Sequence, residues 1–248
     1  KMAINWIEKE IIEHKRWTDV LASLKFKGKV QPYTAGQFTK VGLKIDGELI
    51  SRPYSYVSSP NDDFLEIVYV KVPDGKLTPA LSDLNVGDKL FAMEKASGFF
   101  VMSEVPDGED LWMLATGTGL GVFISLLKTK EPWDRFRNIV LVHGVRAADE
   151  LTYKTQIDDF ASSFGERFSY IPTVTREKKD GCLNLRIPAG LKNKDFQKIA
   201  KLDITKKSQV MICGNPDMIN DTVKLLEKDG LERNRRSKPG NITLEKYW

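Results

Sequence analysis

Between an apolar strand and an apolar helix of this chain lies a glycine-rich turn, ATGTGLG at residues 115–121. An earlier run, RPYS at residues 52–55, places a cation, an aromatic ring and a small hydroxyl in a row. Glycines between a strand and a helix permit a tight turn and the close approach of a diphosphate. An arginine can fork onto a diphosphate, and a tyrosine can stack on a flat heterocycle. Together, the two runs indicate electron transfer between a nicotinamide dinucleotide and a flavin.

The composition fits a globular protein and excludes several classes of site. The chain has 248 residues, of which 41% are hydrophobic and 29% charged, enough for one large domain or two ordinary ones. Two cysteines, Cys182 and Cys213, exclude a disulfide framework and a four-thiolate iron–sulfur cluster, and with only two histidines we expect no metal site. A net charge of +4 is too small to indicate nucleic-acid binding.

The hydropathy pattern gives no sign of a membrane-spanning segment. No run approaches the roughly twenty apolar residues that span a bilayer, so we expect no membrane insertion. The first residues also lack the apolar core and cleavage site of a signal peptide. We therefore expect a cytoplasmic protein.

The first part of the chain, up to about residue 103, has the rhythm of short strands. Alternating or β-branched runs occur at 21–26, 38–44, 50–57 and 64–72, separated by turn signals such as Asp46-Gly47 and Asp74-Gly75. One small helix is predicted at 78–84. Strands at this spacing predict a closed or nearly closed antiparallel β-barrel.

Beyond a linker at 105–110 the rhythm changes to alternating strands and helices. Strands are predicted at 111–115, 138–145, 168–175 and 209–213, and helices at 120–127, 150–164 and 216–229. This alternation predicts a parallel sheet covered on both faces. The sequence thus predicts two domains, an antiparallel β-barrel at 1–104 and an α/β parallel-sheet domain at 105–248.

The flavin interpretation of the first part depends on two segments. On a strand, Arg52 and Tyr54 share one face while Pro53 and Ser55 share the other. By itself this run slightly favours ordinary half-exposed barrel-wall residues. The turn before the small helix adds support, because free N–H groups at a helix start bind phosphate, although a helix capped by Thr78 would look the same.

The second part contains candidates for the far end of a dinucleotide. The strand at 139–145 ends in Arg146 and not in an acidic residue, and a cation suits a 2′-phosphate. Thr175, Arg176 and Arg186 are further candidates downstream. A lone loop arginine is usually a solvated surface residue, but three of them indicate NADP in preference to NAD.

A second motif, CGNP at residues 213–216, ends a strand and starts a helix. Open α/β sheets bind ligands at the carboxyl ends of their strands. Cys213 is therefore either a residue beside the nicotinamide or simply a buried apolar side chain.

Taken together, these motifs resemble those of the ferredoxin–NADP reductase family, specifically its bacterial ferredoxin/flavodoxin–NADP reductases. The resemblance covers essentially the whole chain in family order. RPYS matches the flavin motif, GKLT at 75–78 the diphosphate turn, ATGTGLG the NADP loop, and CGNPDM at 213–218 the nicotinamide motif. The ending Tyr247-Trp248 is similar to an aromatic tail that contacts FAD. One departure is Val122, where the family commonly has proline, and we expect it to loosen the turn without abolishing binding.

The resemblance implies a barrel that binds FAD non-covalently and an α/β domain that binds NADP(H). The residues nearest the reaction would be Tyr54, Ser55 and Cys213. The implied FAD contacts are Arg52, Pro53, Tyr54, Ser55, Val68, Tyr69, Val70, Lys76, Leu77, Thr78, Thr118, Tyr247 and Trp248. The implied NADP contacts are Arg146, Thr175, Arg176, Arg186, Asn215, Pro216, Asp217 and Asp221.

The implied function is hydride transfer between NADPH and FAD and single-electron transfer between FAD and ferredoxin or flavodoxin, by a monomer. An NAD(P)H-dependent flavin reductase or an oxygenase reductase component on the same fold is the alternative. A non-catalytic flavin sensor would leave the glycine loop and the arginines without a purpose. We also expect the basic residues Arg233, Arg235, Arg236 and Lys238 to guide an acidic electron carrier.

Overall fold

The computed structural model describes residues 3–28 and 30–247. The chain divides into two compact units, residues 1–101 and residues 102–248. The sequence placed the boundary three residues later, between 104 and 105. Among the described residues, no helix has the length and apolar character needed to cross a membrane.

The first unit is a single antiparallel sheet that curls until its two edges meet. Its strands lie in the order β4-β3-β6-β1-β2-β5, and the backbone N–H of Val57, just beyond β4, donates to the carbonyl of Glu66 on β5 at 2.9 Å. This bond brings the two outermost strands together, and it confirms the predicted antiparallel barrel. The elements are β1 (Trp6–Arg16), β2 (Leu21–Lys27), β3 (Phe38–Ile45), β4 (Glu48–Ser55), β5 (Phe64–Val70), α1 (Leu77–Ser82) and β6 (Lys89–Met93).

A two-residue turn fixes the register of the strand that carries RPYS. Ile45 pairs with Glu48, and between them Asp46 and Gly47 have φ angles of 53° and 81°. Positive φ at both central positions defines the hairpin turn that Asp-Gly favours. This register sets Tyr54 opposite Thr39, a fully buried residue of β3.

Three elements of the first unit departed from the sequence prediction. One is β6, a five-residue strand that was not predicted. The strand β1 was missed because its eleven residues are mostly charged and only Ile11 is buried, with a bulge between Ile11 and Glu13. The helix α1 begins at Leu77, so Thr78 lies inside it and does not cap it. The Thr78 hydroxyl instead accepts a hydrogen bond from the backbone N–H of Val72 at 2.8 Å.

The second unit is a five-stranded parallel sheet with helices packed against it. Its strands lie in the order β11-β10-β7-β8-β9, and every pairing is parallel, which confirms the predicted class. The order reverses between β7 and β10, so a crevice opens at the carboxyl ends of these two strands. The elements are β7 (Asp110–Thr116), α2 (Leu120–Leu127), α3 (Glu131–Arg135), β8 (Asn138–Val145), α4 (Lys154–Phe164), β9 (Phe168–Val174), α5 (Ile187–Lys192), α6 (Asp195–Ala200), β10 (Ser208–Gly214), α7 (Pro216–Lys228) and β11 (Ile242–Lys246).

The central strands are almost completely buried, as expected of a parallel sheet with both faces covered. One face packs Trp112, Val140 and Ile212 against Ile187 of α5 and Val223 of α7. The sequence missed α3, α5, α6 and β11, which are short and carry charged residues. It also began α4 too early, because Tyr153 adopts a left-handed φ of 59° and the helix starts at Lys154.

Candidate functional site

The predicted flavin residues of the first unit come together where its sheet closes. Residues 52–55 lie on β4 and residues 68–70 on β5, the two strands at the ends of the sheet order. Lys76 immediately precedes α1, the helix that follows β5, and Leu77 and Thr78 form its first turn. The three segments therefore share one region of the barrel although they are distant in sequence.

Within this region, an available cation lies beside a largely buried ring. Arg52 is exposed and forms no ion pair with a described carboxylate; its Nη1 donates to the carbonyl of Ser51 at 2.7 Å. Tyr54 is only 8% exposed, and burial raises the pKa of its phenol to about 12, with Arg52 acting in the opposite direction. Tyr54 is thus a neutral, rigidly held aromatic ring.

Apolar side chains also reach solvent at this place. Val70 is 44% exposed and Val72 is 52% exposed, whereas the neighbouring Val68 and Tyr69 are buried. An unpaired arginine, an aromatic ring and exposed valines suit a ligand that has a flat ring system and a diphosphate. The side chains present therefore fit FAD.

The hydroxyl of Tyr69 is engaged by the protein itself. It lies 2.7 Å from Nε2 of His14, whose Nδ1 lies 2.8 Å from the carbonyl of Leu84. A carbonyl only accepts, so this network assigns the proton to Nδ1 and leaves Nε2 to accept from Tyr69. Burial is the main cause that lowers the pKa of His14, which favours this neutral form. No role for His14 was predicted from the sequence, since its partners lie on other elements.

In the second unit, the glycine loop lies directly against the end of β10. A methyl group on Gly119 would come within 2.5 Å of the carbonyl oxygen of Cys213. A methyl group on Gly214, whose φ is +146°, would come within 2.1 Å of Oγ1 of Thr116. Both motifs therefore need glycine at these positions because the two backbones pack closely.

A side-chain hydrogen bond joins the same two strand ends. Oγ1 of Thr116 accepts from the backbone N–H of Asn215 at 2.9 Å. Thr116 was predicted only as part of the loop motif, without a role of its own. It ties β7 to β10 across the point where the strand order reverses.

A buried histidine of β8 holds the glycine loop from the core side. Nε2 of His143 lies 2.9 Å from the carbonyl oxygen of Gly117, the first residue of the loop's turn, so Nε2 carries the hydrogen. His143 is fully buried, and burial lowers its pKa to about 4, partly opposed by this bond. It is therefore neutral at physiological pH. One feature of the sequence indicates this support, because His143 is a polar residue within an apolar strand.

The start of α7 is built by its own motif. Oδ1 of Asn215 accepts from the backbone N–H groups of Asp217 and Met218, at 2.8 and 3.3 Å. This is a side-chain cap, and Pro216 follows it at the start of the helix, where its missing N–H costs nothing. Asp217 and Asp221 are exposed and lie about one turn apart on the same side of the helix.

Cys213 is fully buried within β10. Burial raises the pKa of its thiol well above the ordinary value, with Glu245 as a smaller cause in the same direction. A protonated, buried thiol is a poor nucleophile.

The remaining arginines lie around the ends of β8 and β9. The backbone N–H of Arg176 donates to the carbonyl of Arg146 at 2.9 Å, and that of Thr175 to the carbonyl of Val145 at 3.1 Å, so the loops after the two strands stay paired. Arg186 immediately precedes α5. None of these three arginines, all exposed, forms an ion pair with a carboxylate in the described part of the chain.

The glycine loop with the start of α7, and the three arginines around β8 and β9, lie along one edge of the parallel sheet, at the carboxyl ends of its strands. From β10 to β9 there are three interstrand spacings, roughly 14 Å. A ligand lying across the carboxyl ends of the strands can therefore reach from Asn215 to Arg176. Tyr247 is at the same edge, since its backbone N–H donates to the carbonyl of Gly214 at 3.1 Å. Trp248 lies outside the described residues.

The basic stretch before β11 carries less free charge than its sequence suggests. Three of its four cations lie near carboxylates: Arg236 with Glu104 at 2.7 Å, Arg233 with Glu227 at 3.8 Å, and Lys238 with Glu232 at 3.6 Å. Only Arg235 forms no ion pair with a described carboxylate. The positive field at this stretch is therefore weaker than four unpaired cations would give.

Comparison with known proteins agrees with a flavin site on the first unit and a dinucleotide site on the second. Residues 8–98 match the family described as "Oxidoreductase FAD-binding domain", and residues 113–224 match "Oxidoreductase NAD-binding domain". The fold and its sites thus define a two-domain oxidoreductase that uses FAD and a nicotinamide dinucleotide.

Relatives identify the family more closely. The "Flavodoxin/ferredoxin–NADP reductase" of Shigella flexneri is 44% identical over 246 residues, covering 98% of this chain and 99% of that protein. The "Ferredoxin–NADP reductase" of Azotobacter vinelandii is 35% identical, covering 97% of this chain and 96% of that protein. A crystal structure of a ferredoxin NADP+ reductase from Neisseria gonorrhoeae with bound FAD and NADP has a TM-score of 0.92 and 32% identity, covering 98% of this chain and 99% of that one. The chain belongs to the flavodoxin/ferredoxin–NADP reductase family, and the resemblance seen in the sequence is confirmed.

We expect Thr116→Val to weaken binding of the nicotinamide dinucleotide while Thr116→Ser leaves it near normal. Valine has the shape of threonine but cannot accept from Asn215, and an amide left without its partner costs about 1 kcal/mol at a partly buried site. The dissociation constant should then rise about fivefold. Equilibrium titration of both variants measures this, and equal affinities for the two would contradict the role of the hydroxyl.

The buried His143 should make the second unit acid-sensitive. Its pKa in the folded chain, about 4, is below the unfolded value of about 6.5. Its contribution is therefore complete above pH 6.5 and is lost as the pH falls toward 4. Between pH 7 and pH 5 the free energy of unfolding should fall by about 2 kcal/mol from this group alone. His143→Gln, which can still donate to Gly117 but does not titrate, should lack that part of the loss in urea unfolding; an unchanged pH dependence would contradict it.

Proposed function

We propose that this chain carries electrons between NADPH and a small protein carrier, ferredoxin or flavodoxin, through FAD bound non-covalently. The observation that carries the proposal is the group of three unpaired arginines at the edge that also holds the glycine loop. An extended dinucleotide with a phosphate on its ribose suits both ends of that edge.

FAD is proposed to lie on the first unit, on the region formed by β4, β5 and the start of α1. When bound, it supplies the chemistry that links a two-electron donor to one-electron acceptors. Arg52 would hold the diphosphate, and Tyr54 would stack on the isoalloxazine. Ser55 would bond near its N5. Val68, Tyr69, Val70, Lys76, Leu77 and Thr78 would line the remainder.

NADPH is proposed to lie along the carboxyl edge of the parallel sheet. Arg146, Arg176 and Arg186, with Thr175, would bind the 2′-phosphate end, and residues 215–217 with Asp221 would line the dinucleotide. Cys213 would lie beneath the nicotinamide. Because its thiol stays protonated, the proposed role of Cys213 is to line the site and exclude water. No side chain would serve as a nucleophile.

The proposed acceptors are those for which relatives of this chain are named. Several are named for flavodoxin or ferredoxin together with NADP, and we extend those partners to this chain. We further propose that it acts as a monomer in the cytoplasm, without nucleic acid. Arg235 is the member of the basic stretch best placed to meet an acidic carrier, since the other three have acidic neighbours.

A two-stage assay tests the proposal. The purified protein should show a flavin absorption spectrum that NADPH bleaches, and it should then reduce added ferredoxin or flavodoxin. A chain that reduces free flavin but neither protein would favour the flavin reductase alternative. A chain that takes up no FAD would end the proposal altogether.

Tyr54 should hold FAD through its ring and not through its hydroxyl. Stacking of a ring system on an aromatic side chain is worth about 1–3 kcal/mol. Tyr54→Ala should therefore raise the FAD dissociation constant about tenfold or more, whereas Tyr54→Phe should stay near the unsubstituted value. Fluorescence titration of the apoprotein with FAD measures both, and equal weakening would place the binding energy in the hydroxyl.

The unsubstituted chain should strongly prefer NADPH to NADH. A charge-assisted hydrogen bond contributes about 1.5–3 kcal/mol, so Arg176→Ala should reduce the preference about tenfold. Arg176→Lys keeps the charge but loses the planar fork, and it should restore only part of the preference. The ratio of kcat/KM for the two coenzymes is the measurement, and no preference in the unsubstituted chain would contradict the arginine assignment.

A further inference from the structure

We propose that Glu177 and Asn184 are positioning residues that keep the arginine loops open to the 2′-phosphate of NADPH, and so help to set the preference for NADPH over NADH. The inference rests on the proposed function of those loops. Neither residue needs to touch the dinucleotide.

Glu177 links the loop after β9 to the loop after β8. It follows Arg176 directly, and its Oε1 accepts from the backbone N–H of Ala148 at 2.6 Å. Ala148 lies two residues after Arg146. One carboxylate therefore fixes the separation between the two loops that carry Arg146 and Arg176.

Asn184 fixes the other side of the same loop. Its Nδ2 lies 2.8 Å from the carbonyl of Val174, 2.9 Å from that of Glu177 and 3.4 Å from that of Thr175. It stands two residues before Arg186. The amide thus ties the loop of Arg176 to the segment that leads into α5.

Two carboxylates of this region, those of Glu150 and Glu177, accept from backbone amides and form no ion pair with an arginine in the described part of the chain. Oε1 of Glu177 accepts from Ala148, and Oε1 of Glu150 accepts from the backbone N–H of Ala147 at 3.1 Å. An arginine would otherwise pair readily with a nearby carboxylate and lose its capacity for a phosphate. The same bonds that shape the loops therefore also leave the guanidinium groups available.

The geometry makes different predictions for loss of the bond and loss of the charge. Glu177→Ala removes both, whereas Glu177→Gln keeps an oxygen acceptor for Ala148. If Glu177 acts through the bond, the alanine variant should weaken binding and the glutamine variant should not. If Glu177 merely repelled the phosphate, both variants should bind more tightly.

The test uses two probes that differ by the 2′-phosphate, adenosine 2′,5′-bisphosphate and AMP, titrated by calorimetry into the FAD-loaded chain. We expect Glu177→Ala and Asn184→Ala each to weaken the bisphosphate about three- to tenfold, as loss of one or two exposed hydrogen bonds implies, and to leave AMP unchanged. Glu177→Gln should bind both probes like the unsubstituted chain. Asn193→Ala, an exposed substitution at the other end of α5, is the matched control.

Steady-state kinetics supply an independent readout. Both alanine variants should raise KM for NADPH with little change in kcat, and KM for NADH should stay the same. Equal weakening of bisphosphate and AMP, or tighter bisphosphate binding by both Glu177 variants, would overturn the inference. A preference for the bisphosphate over AMP that survives both alanine substitutions would overturn it as well. If the unsubstituted chain showed no preference between the two probes, the proposed arginine site itself would be wrong.

Discussion

The close approach of the glycine loop to the end of β10 is the constraint on which the second unit depends. Gly119 lies so near the carbonyl of Cys213 that no side chain fits between them. The Thr116 hydroxyl then joins β7 to the residue after β10. Because these two strands flank the reversal of strand order, the contact shapes the crevice in which such sheets bind ligands. His143 holds the same loop from the core, so the loop is fixed on two sides before any ligand arrives.

Charge is distributed differently in the loops after β8 and β9 and in the basic stretch before β11. After β8 and β9 the carboxylates of Glu150 and Glu177 accept from backbone amides, and the three arginines have no acidic partner among the described residues. In the basic stretch the opposite holds, since Arg236, Arg233 and Lys238 each lie beside a carboxylate. Exposed pairs of this kind add little stability, but they reduce the field that a partner would meet. Counting basic residues in a sequence therefore overstates the free charge of the basic stretch, because the count does not register the carboxylates beside them.

Sequence reasoning predicted the architecture because the architecture depends on local patterns. The turn at Asp46-Gly47, the buried runs of the parallel sheet and the helix start at Pro216 are each decided by neighbours in sequence. Prediction from the sequence failed where a contact with a residue distant in sequence determines the local structure. The charged strand β1 and the short β11 exist because adjacent strands accept them, and the cap expected of Thr78 is replaced by a bond to Val72. The motifs of the proposed site could be read from the sequence, and His143 left one sign there, a polar residue within an apolar strand. Glu177 and Asn184 left none, because each acts through backbone groups of another segment.

The position of β11 in the chain has a consequence for synthesis. The barrel uses only residues before 102 and can form early, whereas β10 lacks one neighbour until residues 242–246 have been made. During that interval a strand that is wholly buried in the finished fold presents unpaired backbone groups at a sheet edge, which is a template for association with other chains. Domains generally fold from the amino end as they are made. The nascent protein therefore passes through a stage in which one half is finished and the other is prone to aggregate, and the arrival of five residues ends it.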